Sequence, residues 1–180
     1  MKAVFLRGCT LLLAASLAAC TTTGAGGAGG IQVTTSHLGQ PIARGPIAVE
    51  AFDQADANQP EFRNYAASVA QQLTRLGWTV VPTTTQSEQV ALVDVQQGSW
   101  AALTPRGAPL PPASRAGSVA TLLEVRIRRR SDGTVMWEGR SIDEAPADSA
   151  GAQRTAAVEV LAAALFRDFP GVSGRTIRTR

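Results

Sequence analysis

The chain has 180 residues, with 17 Lys and Arg against 14 Asp and Glu, one His and two Cys. That length suits one domain with tails, and a formal net charge of +3 is too small to imply a polyanion partner. A single histidine with no cysteine beside it excludes an ordinary zinc site.

Residues 1–19 read as a secretory leader. Lys2 and Arg7 supply the positive region, and Leu11 to Leu17 supply the apolar one. The apolar run is far shorter than the ~20 residues a spanning helix needs. Leu17-Ala18-Ala19-Cys20 then reads as a lipobox, with cleavage between Ala19 and Cys20. Its thiol can take a diacylglyceryl group as a thioether, and two or more acyl chains give stable membrane anchoring. The covalent lipid on Cys20 is the sole cofactor-like group expected. Cys9 leaves with the leader, so the processed chain has no thiol chemistry and no disulfide. Thr21 stands where an inner-membrane retention signal would place Asp, which predicts the periplasmic face of the outer membrane. Lys2 is the only lysine, and alanine is abundant; this bias discounts arginine counts as functional signals.

Residues 20–30 form the lipidated Cys and a Gly/Thr-rich tether. Ten flexible residues reach about 17 Å on average. Ile31 to Thr35 alternates and is predicted to be a strand, as is Ile47 to Phe52. Asn58 or Asp56 is the expected cap of the next helix, with Pro60 in its first turn. Phe62, Tyr65, Ala66, Val69, Leu73 and Leu76 make one helical stripe, and Gly77 ends it. Trp78 to Val81 is a short strand. Val90 to Val95 is apolar on both faces and predicts a central strand, with Asp94 expected at the strand end, near solvent or an arginine.

Residues 98–118 are a proline-rich insertion. Trp100, Pro109 and Pro112 are candidate partner contacts there, the prolines as a polyproline II ligand. Val119 to Arg130 and Val135 to Ile142 form a hairpin about Ser131-Asp132-Gly133. Burying one face pairs Ile127 with Trp137 and Arg130 with Thr134, with Gly133 left-handed and Val135 on the inner face. Glu124, Arg126, Arg128 and Arg130 then share the outer face. Those three arginines are candidate contacts for an anionic envelope polymer or lipid, while a cell-envelope location argues against nucleic acid. Asp148 or Ser149 caps the last helix, whose inner stripe is Ala157, Val158, Leu161, Leu165 and Phe169. Residues 171–180 are expected to be a mobile basic tail.

No Gly-x-Ser-x-Gly elbow occurs, and Ser-x-x-Lys is impossible without lysine. No catalytic and no metal-ligating residue is nominated, and His37 is expected to be structural or exposed. The chain is read as non-enzymatic. An envelope enzyme using Asp94 or Asp143, or a small apolar ligand carrier, is the alternative.

The lipobox, the helix from Glu61-Phe62-Arg63-Asn64-Tyr65 to Leu76-Gly77-Trp78, the strand Ala91 to Val95, and the hairpin with Gly133-Thr134-Val135-Met136-Trp137-Glu138-Gly139 resemble bacterial lipoproteins of domain-of-unknown-function family 4136. The resemblance spans about residues 31–170. It implies an α+β two-layer sandwich in the envelope and carries over no activity. The expected architecture is two helices on one face of a mostly antiparallel sheet of five or six strands. The expected partners are the membrane, through the lipid, and an envelope protein or peptidoglycan.

Overall fold

The computed structural model describes residues 30–82, 87–103, 105–106 and 117–179. The leader, Ala19, Cys20, most of the tether, and Pro109 and Pro112 lie outside the described residues.

The elements are β1 (Ile31–His37), β2 (Pro46–Ala51), α1 (Pro60–Arg75), β3 (Thr79–Val81), β4 (Gln89–Gly98), β5 (Ser118–Arg129), β6 (Val135–Pro146), α2 (Arg154–Phe166) and β7 (Arg175–Thr179). They build an α+β fold with one sheet of order β3-β2-β4-β5-β6-β1-β7. β2 runs parallel to β3 and β4, with α1 as the crossover from β2 to β3. Every other pair is antiparallel.

Among the described residues the sheet has seven strands, not five or six. The additional strand is β7, from the segment expected to be a mobile tail. Arg175-Thr176-Ile177-Arg178-Thr179 is rich in β-branched residues, and it pairs with β1 from Ile31↔Thr179 to Thr35↔Arg175. Its arginines suit an edge strand, because charge there discourages pairing with other chains.

α1 forms where the stripe predicts, with Tyr65, Val69 and Leu73 buried. Its cap differs. Gln59 sits at the N-cap without a side-chain cap bond, and Asp56 instead accepts from Gln59 Nε2 at 2.7 Å. Pro60 makes this tolerable, since its missing N–H is one of the unpaired donors of a first turn anyway. Gly77 follows the C-cap with φ 95°, a conformation that favours glycine. Neither Asp148 nor Ser149 caps α2. Ser149 Oγ donates to the Pro146 carbonyl, and Gln153 occupies the cap position.

Both helices pack on one sheet face. The core there joins Val69 and Leu73 of α1, Val158, Leu161 and Leu165 of α2, and Ile47, Val93, Val125, Ile127 and Trp137 of the sheet. Each such large side chain contributes about 1.5–3 kcal/mol by leaving water. At the α2 end Trp137 stacks on Phe166 at 5.3 Å, and its Nε1 donates to the Pro170 carbonyl at 3.0 Å. The indole packs over Gly139. A Cβ on Gly139 would collide with Trp137 Cη2 and Cζ2, which explains the Trp-x-Gly spacing of this strand.

The hairpin register is as predicted at Ile127↔Trp137, and Gly133 is left-handed at φ 72°. The irregularity falls elsewhere, however. Arg128 pairs with Val135, so Met136 is the extra residue, and Arg129, not Arg130, bonds Thr134. The bulge turns Val135 out of the inner face, leaving it exposed. Arg130 is thereby free to donate its N–H to the Glu88 carbonyl at 2.7 Å, tying the turn to the segment before β4.

Candidate functional site

Alternation along β4, β5 and β6 puts a row of charge on the face away from the helices. Asp94 lies opposite Glu124, and Glu124 opposite Arg140. Asp94 and Glu124 are only 6% and 7% exposed. Like charges directly across a ladder are destabilising. Arg106, from the insertion, resolves the conflict. Its Nε stands 3.2 Å from Asp94 Oδ2, and its backbone N–H donates to the two Glu124 oxygens at 3.0 and 3.3 Å. Gln96 Nε2 donates to Asp94 at 2.8 Å. The guanidiniums of Arg106 and Arg126 both lie over Phe52, at 4.2 and 5.1 Å. Burial pushes the Glu124 carboxyl above the usual range, the Arg106 N–H pulls it back, and the Asp94 charge adds to the rise.

This is a closed polar lock. The space bounded by Phe52, Arg106, Glu124 and Arg126 is about 10 Å³, room for one water and not for a sugar or an acyl chain. Asp143 does not join it: it pairs with Thr121 and falls on the opposite face from Asp94.

Arg126 Nε pairs with Glu138 at 2.8 Å and Arg130 Nη2 with Glu50 at 3.4 Å. The predicted arginine row is therefore no open basic patch. Arg128 is half-buried, with its Nε unpartnered among the described residues. Trp100 is half-buried too. It packs against Leu103, Ala120, Leu122 and Ile142, a second small core on the outer face, so it is not a free anchor for a partner. His37 is structural: Nδ1 accepts from Gly39 N–H at 3.0 Å, which makes Nε2 the donor to the Gly171 carbonyl at 3.2 Å. Among the described residues no three His, Cys, Asp or Glu side chains come together as a metal group. No helix among them is long and apolar enough to cross a membrane.

On the helix side a cavity of about 120 Å³ lies where the N-termini of α1 and α2 meet β4. Phe62, Val93 and Val95 are its apolar walls, and Arg154, the first residue of α2, stands at its rim. Tyr65 also lines it. That side chain is 6% exposed, and its hydroxyl has no hydrogen-bond partner among the described residues. Sequence reasoning placed Tyr65 and Phe62 on the helix stripe but had no means of seeing the gap beside them. Arg106, Phe52 and Arg154 were missed outright, because each acts through a contact distant in sequence.

No family model matches the chain, so the likeness to family 4136 rests on the residues quoted above. An uncharacterized protein of Zymomonas mobilis is 24% identical over 212 aligned positions, covering 83% of this chain and 80% of that one. Among solved structures, a PDZ domain protein from Parabacteroides distasonis is similar at 12% identity with a TM-score of 0.52, covering 82% of this chain. This chain matches only 38% of that protein, so the likeness concerns the fold of one part of it. A PelC dodecamer from Paraburkholderia phytofirmans is similar over 75% of this chain, at 13% identity and a TM-score of 0.45.

Proposed function

We propose that the protein is a lipoprotein anchored in the outer membrane, facing the periplasm, that serves as a non-enzymatic binding or assembly module of the cell envelope. The observation that carries this is Leu17-Ala18-Ala19-Cys20, followed at once by ten residues of tether composition and then by β1. The likeness to family 4136 belongs to the same reading. Two facts favour binding over catalysis. Asp94 and Asp143, the carboxylates suggested for an enzyme, face opposite ways, and the acids that do meet are sealed under Arg106. The test is Cys20→Ala. Globomycin-sensitive processing and recovery in the membrane fraction are both expected to disappear. Wild-type protein with an unmodified N-terminus by mass spectrometry would remove the proposal. For partners, crosslinking in intact cells must avoid amine chemistry, since Lys2 is the only lysine.

A second reading, binding of a small molecule by the same anchored domain, is favoured by the cavity of about 120 Å³. The cavity lies at the tether end of the sheet. Ile31 pairs with Thr179, Gln32 with Ile142, Leu122 with Ile142 and Gln96 with Leu122, which brings the start of β1 and the end of β4 to one edge.

A further inference from the structure

We infer that the outward face of α2 is the contact surface of a two-fold dimer, in which α2 packs antiparallel on α2 of a second copy of this chain. The inference goes beyond the function proposed above and does not rest on the lipid anchor.

The two helices cover the same sheet face, yet their outward sides differ. α1 is amphipathic, and its exposed residues include Glu61, Arg63, Asn64, Gln71, Thr74 and Arg75. α2 is apolar around most of its circumference. Val158, Leu161, Ala162, Leu165 and Phe166 face the core, while Ala156, Val160 and Ala163 are exposed on the opposite side. Val160 is 42% exposed. Val172, 64% exposed, continues the apolar surface past the helix end, in one groove with Ala164. A helix apolar on every side is ordinarily covered on every side. Among the described residues nothing covers this side of α2.

Charge identifies the cover. Glu159 stands one turn before Ala163 and Arg167 one turn after it, along one side of the helix. They are about 12 Å apart along the axis, too far to pair within one chain. Glu159 has no ion pair among the described residues. Arg167 has only its neighbour Asp168, at 4.0 Å, and Asp168 lines the groove beside β7 together with Arg175. When a second α2 is turned end for end about Ala163, Glu159 of each copy meets Arg167 of the other. Two salt bridges then flank a contact of alanine on alanine, where small side chains let the helices approach closely, and Val160 packs beside it. A bilayer does not suit this face, because Glu159 would lose its hydration there. Acid and base placed symmetrically about one residue fit a copy of the same helix, as a two-fold interface requires.

The test uses the full chain in intact cells. Ala163→Cys puts a thiol on the two-fold axis. Helices packed through small residues lie about 8 Å apart, which brings the two Cα atoms within the ~7 Å that a disulfide spans. Mild oxidation is expected to give a disulfide-linked dimer. Ala67→Cys, on the exposed side of α1, is expected to give none. The wild-type chain, run alongside, accounts for any bridge through Cys20.

The charges are then reversed in the Ala163→Cys chain. Glu159→Arg and Arg167→Glu each set like charges against each other at both ends of the contact, and each should cut the yield about tenfold. The two reversals together should restore it, and so should producing the two single variants in one cell. Restoration also shows that the single variants failed through charge and not through folding.

A yield at position 163 no higher than at 67 would overturn the inference. So would a dimer indifferent to both single reversals, or one that the double reversal leaves broken. Crosslinks from position 163 to other proteins alone would assign the face to a different partner and overturn it as well.

Discussion

The two faces of the sheet are made by the same strands and closed in different ways. Val93 stands back to back with Asp94, Leu123 with Glu124, Val125 with Arg126 and Gly139 with Arg140. On the helix side the closure is collective: two helices bring eight buried apolar side chains, and the core is continuous from Ile31 to Phe166. On the outer side it depends on a few residues of one insertion: Leu103 and Trp100 over a small apolar cluster, Arg106 over two carboxylates. Hydrophobic burial is non-directional and tolerates variation in how it is met. A buried charge pair is directional and fails when one partner goes. The first face should thus respond to volume and the second to charge and pH.

The largest effect is expected at Trp137, fully buried and stacked on Phe166. Trp137→Ala should cost about 4 kcal/mol in denaturant unfolding. A loss below about 1 kcal/mol would show that the helix side is not the dominant core. Gly139→Ala comes next, at about 2–3 kcal/mol, because its methyl collides with the indole and with Leu165 Cδ1 at 2.9 Å. That penalty should shrink in a Trp137→Leu background; a purely additive double mutant would refute the packing account.

On the outer face Arg106→Ala should cost about 1–2 kcal/mol at neutral pH, less than a fully buried pair because Arg106 is 34% exposed. The loss should diminish on acidification. Glu124 has its folded pKa raised by burial, so the native state holds that proton more tightly than the unfolded chain does. Its contribution to stability therefore falls as pH rises from the ordinary glutamate range through the raised value, and the full penalty applies above it. Glu124→Gln should flatten this slope, and an unchanged slope would place the titration elsewhere. Glu88 and Asp132 are lowered by hydrogen bonds from Ser131 and Thr134, so their contribution has the opposite sign and lies further to the acid side. The smallest effect is expected at Arg130→Ala. Arg130 and Glu50 are 38% and 31% exposed, and such pairs are worth at most about 0.5–1 kcal/mol.

What could be read in advance follows the same division. Period and parity reveal a face that is buried as a whole, so α1, the two-sided burial of β4 and the Ile127↔Trp137 register were legible. Asp94 was expected at the strand end, near solvent or an arginine; it lies in mid-strand and buried, and Arg106 is its partner. Nothing in the sequence picks Arg106 from the others, however, since its role depends on how the insertion returns over the sheet. The Met136 bulge was missed because parity alone counts residues and does not locate the extra one. β7 was missed because its charge resembles that of a solvated tail, and its pairing partner lies at the other end of the domain. The cavity beside Tyr65 is a failure of two helices and a strand to fill space, which no single segment encodes.

β1 sits between β6 and β7. Residues 31–37 therefore have no neighbour to bond until residues 135–146 and 175–179 have been made. On a ribosome this strand emerges early and waits through most of synthesis with both edges bare, and contacts so remote in sequence form slowly. A nascent chain stalled before Arg175 should leave one side of β1 open to proteases, and release of the remaining residues should shut it.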